Sequence, residues 1–187
     1  MKNRKSFKNN SGGIVIIFKK NLSKHIQFIE SDSEFVQWVE ISEKYLNINE
    51  KLLLGCVYIP PDSSIYSSDE CFTEIEDELV KFSNSTSHIA IVGDMNSRTS
   101  IVKDFIVPDE QLIDILDIDD ENIYDLFGYF HLSNKNIPLA RCSRDNSFIN
   151  KYGTKLIDFC KRCNMFIANG RIGKDRGIGR TTCKMLV

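Results

Sequence analysis

HIAIVGDMNSRTS, residues 88–100, sets a short apolar run against a polar stop. Ile89 to Val92 is apolar and rich in β-branched residues, as a buried strand is, and Gly93-Asp94 ends it. Side chains at alternate strand positions share a face, so Asp94 and Asn96 are expected side by side on one face. Gly93 permits close approach or unusual dihedrals at the strand end. A carboxylate beside a carboxamide suits phosphodiester hydrolysis. The carboxylate can orient or deprotonate an attacking water, and the amide can donate to a non-bridging phosphate oxygen as charge builds there. Arg98 falls on roughly the same side if the chain stays extended, and can pair with phosphate. Gly-Asp-x-Asn after a strand is also an ordinary strand-to-turn signal, so the string alone does not decide the chemistry.

Further strands are predicted on both sides of this one. Gly13 to Phe18 reads as a buried strand. Phe35 to Ile41 alternates, with both sets partly apolar. Leu52 to Ile59 is a buried strand stopped by Pro60-Pro61, because two prolines cannot continue a ladder. Met165 to Ala168 is the last, ending at Asn169-Gly170. A helix is predicted over 69–82, with Phe72, Ile75, Leu79 and Phe82 at helical spacing and Ser68 or Asp69 as its cap. A second is predicted over 154–163, with Leu156, Ile157, Cys160 and Cys163 on one face. Residues 108–128 read as an acidic, half-buried connector with a short helix. Strands mixed with a few helices imply a layered α/β arrangement.

A length of 187 residues suits one domain, and 42% hydrophobic residues supply a core. The net charge of −2 and pI of about 5.9 do not announce a nucleic-acid binder, although local patches matter more than totals. The basic, polar start MKNRKSFKNNSGG lacks the apolar stretch of a secretion signal, and residues 1–10 are expected to be disordered. Reduced, intracellular thiols are therefore the expectation for the six cysteines. No apolar run is long enough to span a bilayer.

IVGDMNSRT resembles the GDFNART-type block of the endonuclease domains carried by non-LTR (LINE-type) retrotransposons, within the endonuclease/exonuclease/phosphatase superfamily. Three further blocks stand in the same order. SGGIVIIFKK, residues 11–20, is similar to the family's glycine-pair strand. KLLLGCVYIPPDSS, residues 51–64, is similar to its strand with a VYIPP-like turn. Residues 145–184 are similar to the block with an Asn-x-x-Gly helix entry, an Asn-Gly-Arg turn and a later threonine.

The resemblance implies a DNase I-like four-layer α/β sandwich, incomplete here, and Mg²⁺-dependent nicking of DNA. It implies Asp94 as the aspartate that activates water and as a metal ligand, Asn96 as the asparagine that holds phosphate, and Tyr58 near the scissile phosphate. It places Thr182 at the phosphate site. The implied partners are DNA and the reverse transcriptase of the same element, acting in the nucleus, with no membrane. By composition alone Tyr58 can equally be a core aromatic, and Thr182 an ordinary strand residue.

The chain departs from the family pattern in two places. The family's metal-binding glutamate precedes the SGG strand, whereas the first glutamate here is Glu30. The family closes on Ser-Asp-His, whereas this chain ends at KMLV and has no Asp-His pair. A fragment cut at both ends, with impaired turnover, is the expectation. A non-catalytic remnant, a DNA-binding module and a phosphatase or phosphodiesterase of the same superfamily stay open beside it.

Other features weigh less. Cys160-Lys-Arg-Cys163 has CxxC spacing without a second pair for zinc, so core thiols on an amphipathic helix are expected. Asp117 to Glu121 lacks the glycine of a calcium loop, and a solvated acidic face is expected. Arg171, Lys174, Arg176, Arg180 and Lys184 stand against Asp175 alone in a glycine-rich tail. That pattern suits contact with a phosphate backbone, Arg171 included, and equally a merely solvated loop.

Overall fold

The apolar run at residues 52–58 becomes an inner strand of a four-stranded mixed sheet in the computed structural model, which describes residues 13–109, 111, 115, 127–145 and 147–180. The strands are β1 (Ile26–Ile29), β2 (Val36–Ile41), β3 (Leu52–Tyr58) and β4 (His88–Asp94), neighbouring one another in that order. β1–β2 and β2–β3 pair antiparallel, and β3–β4 pair parallel. A parallel pair needs a crossover, and the helix over Cys71–Ser83 supplies it. With α1 over Glu43–Leu46, that helix is α2. The chain divides into two units, residues 1–96 and 97–187, and the sheet belongs to the first.

α2 forms where the apolar spacing predicts it. Cys71, Phe72, Ile75 and Leu79 are buried. The Ser68 hydroxyl accepts the Glu70 amide at 3.1 Å just before the first turn. Phe82 meets the Trp38 ring edge-on, with centroids 5.9 Å apart. Trp38 is fully buried against its cross-strand partner Gly55. Glu78, at a position the apolar spacing skips, is buried as well. It accepts from Ser31 Oγ at 2.6 Å, the Asp32 amide at 2.5 Å, the Ser33 amide at 2.9 Å and Trp38 Nε1 at 2.8 Å. These bonds fasten the 31–35 loop to α2.

Two expectations fail in this unit. Gly13 to Phe18 is not a strand. Ile14, Ile16 and Phe18 are half-buried, and Phe18 lies 6.1 Å from the Phe28 ring, while Val15 and Ile17 are exposed. Apolar composition favours burial, but a strand also needs a ladder partner, and no described strand pairs with this segment. β4 is formed but is half-buried to exposed, not buried, with Val92 50% exposed. It has one strand neighbour, β3, among the described residues.

In the second unit the described helices are α3 (Tyr129–Asn134) and α4 (Lys151–Arg162). α4 starts three residues before the predicted 154–163 because Asn150 caps it, accepting the Gly153 amide at 2.7 Å. Tyr152, Ile157, Phe159 and Cys160 are its buried side chains. Met165 to Ala168 is not a strand. Its Ile167 amide goes to the Asp104 carboxylate at 2.7 Å, not to a ladder. Most of the 108–128 connector, the Asp117 to Glu121 run and residues 1–10 lie outside the described residues. Among the described residues no helix is long and apolar enough to cross a membrane.

Candidate functional site

β3 and β4 run parallel, so their carboxyl ends lie together, which is where open α/β sheets place ligands. Tyr58 closes β3 and Asp94 closes β4, and the two are register partners. Paired residues on neighbouring strands project to one face, so both side chains leave the sheet on the same side. Past the strand ends the chains stay joined, because the Ile59 amide donates to the Asp94 carbonyl at 2.9 Å. Asn96 Nδ2 then donates to the Ile59 carbonyl at 2.7 Å. Gly93 has φ 141°, and a Cβ there would overlap the Val57 carbonyl, so the close approach expected of this glycine is present.

The relation of Asn96 to Asp94 differs from the extended arrangement read from alternation. Asn96 has φ 48°, and its amide returns to Asp94 Oδ1 at 2.9 Å. An aspartate side chain competes for the amide two residues on, and asparagine tolerates the left-handed region. The alternation rule therefore stops at Asp94. The carboxamide is held beside β3 by the Ile59 carbonyl, not carried forward on a strand face. Asp94 is exposed, and Tyr58 and Asn96 are half-buried.

Arg98, the second residue of the second unit, is exposed. Its amide donates to Asn150 Oδ1 at 2.9 Å, and the Asn150 amide donates to the Arg98 carbonyl at 3.3 Å. Gly153 is required here, since a Cβ would overlap that same carbonyl. The Asn-x-x-Gly helix entry thus fixes the backbone at Arg98 and leaves its side chain at the surface.

Arg171 is corrected by the structure. It is 1% exposed, not part of a solvated cationic loop. Nη1 and Nη2 grip Asp104 at 2.6 and 2.7 Å. Its remaining donors go to the Pro138, Leu139 and Ile167 carbonyls at 3.1, 2.7 and 3.1 Å. All five guanidinium N–H groups are therefore spent within the protein, and none is left for phosphate. Charge pattern cannot separate a buried arginine from a solvated one when its partner stands far away in sequence. Arg141 joins the cluster, bonding Thr99 Oγ1 at 3.2 Å and the Val102 carbonyl at 2.9 Å, with Nε 3.9 Å from Asp104. Burial pulls its guanidinium below the usual range, against the pull of Asp104. Sequence reading missed Asp104 altogether, a single acid before an apolar FIV run that carries no motif.

The remaining candidates are dispersed. Thr182 lies outside the described residues. His88 stands at the opposite end of β4 from Asp94, beside Ser87 and Glu50, and His25 packs on the Tyr45 ring. Among the described residues no three His, Cys, Asp or Glu side chains gather to hold a metal ion. Asp94 closes β4 at the joined strand ends, and Mg²⁺ is held through one or two carboxylates with water and substrate phosphate completing its octahedral shell, so Asp94 would be the protein ligand of such an ion. Cys160 of the CxxC is buried, and burial pushes its thiol up to about 12, which suits a core thiol.

Comparison of the chain with family models, curated proteins and solved structures finds no match in any of the three.

Proposed function

We propose that this chain acts on the phosphodiester bonds of DNA, as a nicking endonuclease of the kind non-LTR retrotransposons carry. The observation that carries the proposal is the meeting of Tyr58, Asp94 and Asn96 at the carboxyl ends of one parallel strand pair. Asp94 is the exposed group that orients or deprotonates water. The Asn96 amide, fixed by the Ile59 carbonyl, gives the site a rigid neutral wall beside the carboxylate. Tyr58, the register partner of Asp94, stands beside the carboxylate at the strand ends, where the scissile phosphate would lie. The DNase I-like four-layer arrangement, nuclear action on genomic DNA, a reverse transcriptase of the same element as partner, and Mg²⁺ as cofactor belong to the same proposal. Turnover is expected to be weak, because among the described residues no cluster of acids and histidines gathers to hold a metal ion there.

Duplex binding as a function of salt, with plasmid nicking in Mg²⁺, tests the proposal on the chain and on Asp94→Ala. Affinity that falls steeply with salt, with slow nicking lost in Asp94→Ala, supports it. Salt-sensitive affinity without nicking reassigns the chain as a binding module. No affinity for DNA removes the proposal.

A further inference from the structure

Phe148 is 96% exposed, more than any other large apolar side chain described. Scattered apolar residues at a surface need no explanation. Phe148 differs in how it is mounted. On its C-terminal side, Asn150 is locked to Arg98 in both directions and to the Gly153 amide. On its N-terminal side, Asp145 Oδ1 accepts the Ser147 amide at 3.0 Å, Ser143 Oγ accepts the Asp145 amide at 3.1 Å, and the Arg144 amide donates to the Gly179 carbonyl at 2.8 Å. The tip Ser147-Phe148-Ile149 thus stands out from a base fixed on both sides, with Ile149 exposed beside the ring.

Cationic residues are built into that base: Arg98 through its bonds to Asn150, Arg144 through its amide bond to Gly179, and Arg180 next to Gly179 in the chain. Arg98 lies close enough to stabilise the charge of Asp145, and Arg180 and Arg144 that of Asp175. All three arginines are exposed, as is Lys151 at the start of α4. The two acids are already occupied, Asp145 by Ser147 and Asp175 by the Gly170 and Arg180 amides. A tip of one ring and one isoleucine is smaller than the contiguous apolar patch that a protein partner asks for. Duplex DNA does match, because it offers apolar base steps between closely spaced phosphates.

We propose that Phe148 is a wedge that enters a base step of duplex DNA while Arg98, Arg144 and Arg180 hold the flanking phosphates. This rests on the DNA reading above and adds the part of the chain that grips and deforms the duplex. The test is equilibrium binding of the full chain, in EDTA so that nothing is cleaved, to a duplex carrying 2-aminopurine. The chain raises the probe's fluorescence as a step unstacks. Phe148→Ala abolishes the rise and binds roughly tenfold more weakly. Phe148→Trp retains both. Arg98→Ala weakens binding and its salt slope, yet keeps the rise at saturating protein. If the chain binds and Phe148→Ala matches it in affinity and fluorescence, the wedge is overturned and the DNA reading stands. If the chain does not bind the duplex, both fall. A change in the sedimentation of the DNA-free protein on Phe148→Ala overturns the wedge in favour of a protein contact.

Discussion

Glu78 in the first unit and Asp104 in the second are both carboxylates withdrawn from water, at 6% and 0% exposed, and they are satisfied by different chemistry. Glu78 accepts from a serine hydroxyl, two backbone amides and an indole. Asp104 accepts from the Ile167 amide and from both arms of Arg171, with a second guanidinium, Arg141, nearby. The difference follows from what else holds each unit. In the first, sheet ladders fix the backbone, and the neutral bonds of Glu78 need only fasten one loop to α2. In the second, no strand is present among the described residues. Side-chain bonds there join segments 99–104, 138–141 and 167–171, which no ladder joins. A buried ion pair offsets its desolvation only with good geometry and further hydrogen bonds, and Arg171 has both.

Asp104→Ala is expected to have the largest effect. It leaves two guanidinium groups buried without a carboxylate and costs about 3–5 kcal/mol. Amide exchange should show α4 losing protection while α2 keeps it. Glu78→Ala comes next, at about 2–3 kcal/mol, because it leaves buried donors unpaired but no buried charge. Urea midpoints give the order, and a larger loss at Glu78 would break the comparison.

Two arginines sharpen it further. Arg171→Lys keeps the charge but cannot reproduce the fork onto Asp104 or serve the three carbonyls, so it should cost about 2 kcal/mol or more and destabilise the second unit. Arg98→Ala should leave stability within about 0.5 kcal/mol while lowering the salt slope of DNA binding by about 1. Equal stability losses at the two sites would undo the assignment of one as structural and the other as surface.

That contrast also marks how far the sequence could be read. Strands β2, β3 and β4 and helices α2 and α4 were legible because apolar spacing and Pro or Gly punctuation report local structure directly. Residues 13–18 and 165–168 carry the same composition and form no strand, because a ladder depends on a partner that composition does not name. The strand-end pair of Tyr58 and Asp94 was legible only as two motifs. Their juxtaposition comes from a parallel register set through the α2 crossover. Asn96 was misread because alternation holds only while the chain is extended, and the side chain of Asp94 turns it. Arg171 was misread because its role depends on Asp104, 67 residues away. Phe148 carried a signal, an apolar pair within the polar stretch DNSFINK, that composition alone does not convert into a role.

The smallest effect at neutral pH, and the most selective, concerns two buried thiols that report on the two carboxylates separately. Cys71 begins α2 and is fully buried in the first unit, and Cys160 is buried in α4 of the second. Burial raises the Cys160 thiol from 9.0 to about 12, with the charge of Asp104 adding to it, so the folded state holds this proton more tightly than the unfolded chain does. The sign follows: its contribution to stability is complete below about pH 9 and is lost as pH rises toward 12. At pH 8, alkylation mapped by mass spectrometry should modify exposed Cys142 first and reach Cys160 only through opening of its unit. Asp104→Ala should speed labelling of Cys160 and leave Cys71 protected, and Glu78→Ala should do the reverse. If both variants speed both thiols equally, the two carboxylates secure one cooperative structure, and the contrast between a laddered unit and an ion-clamped one does not describe how this chain is held.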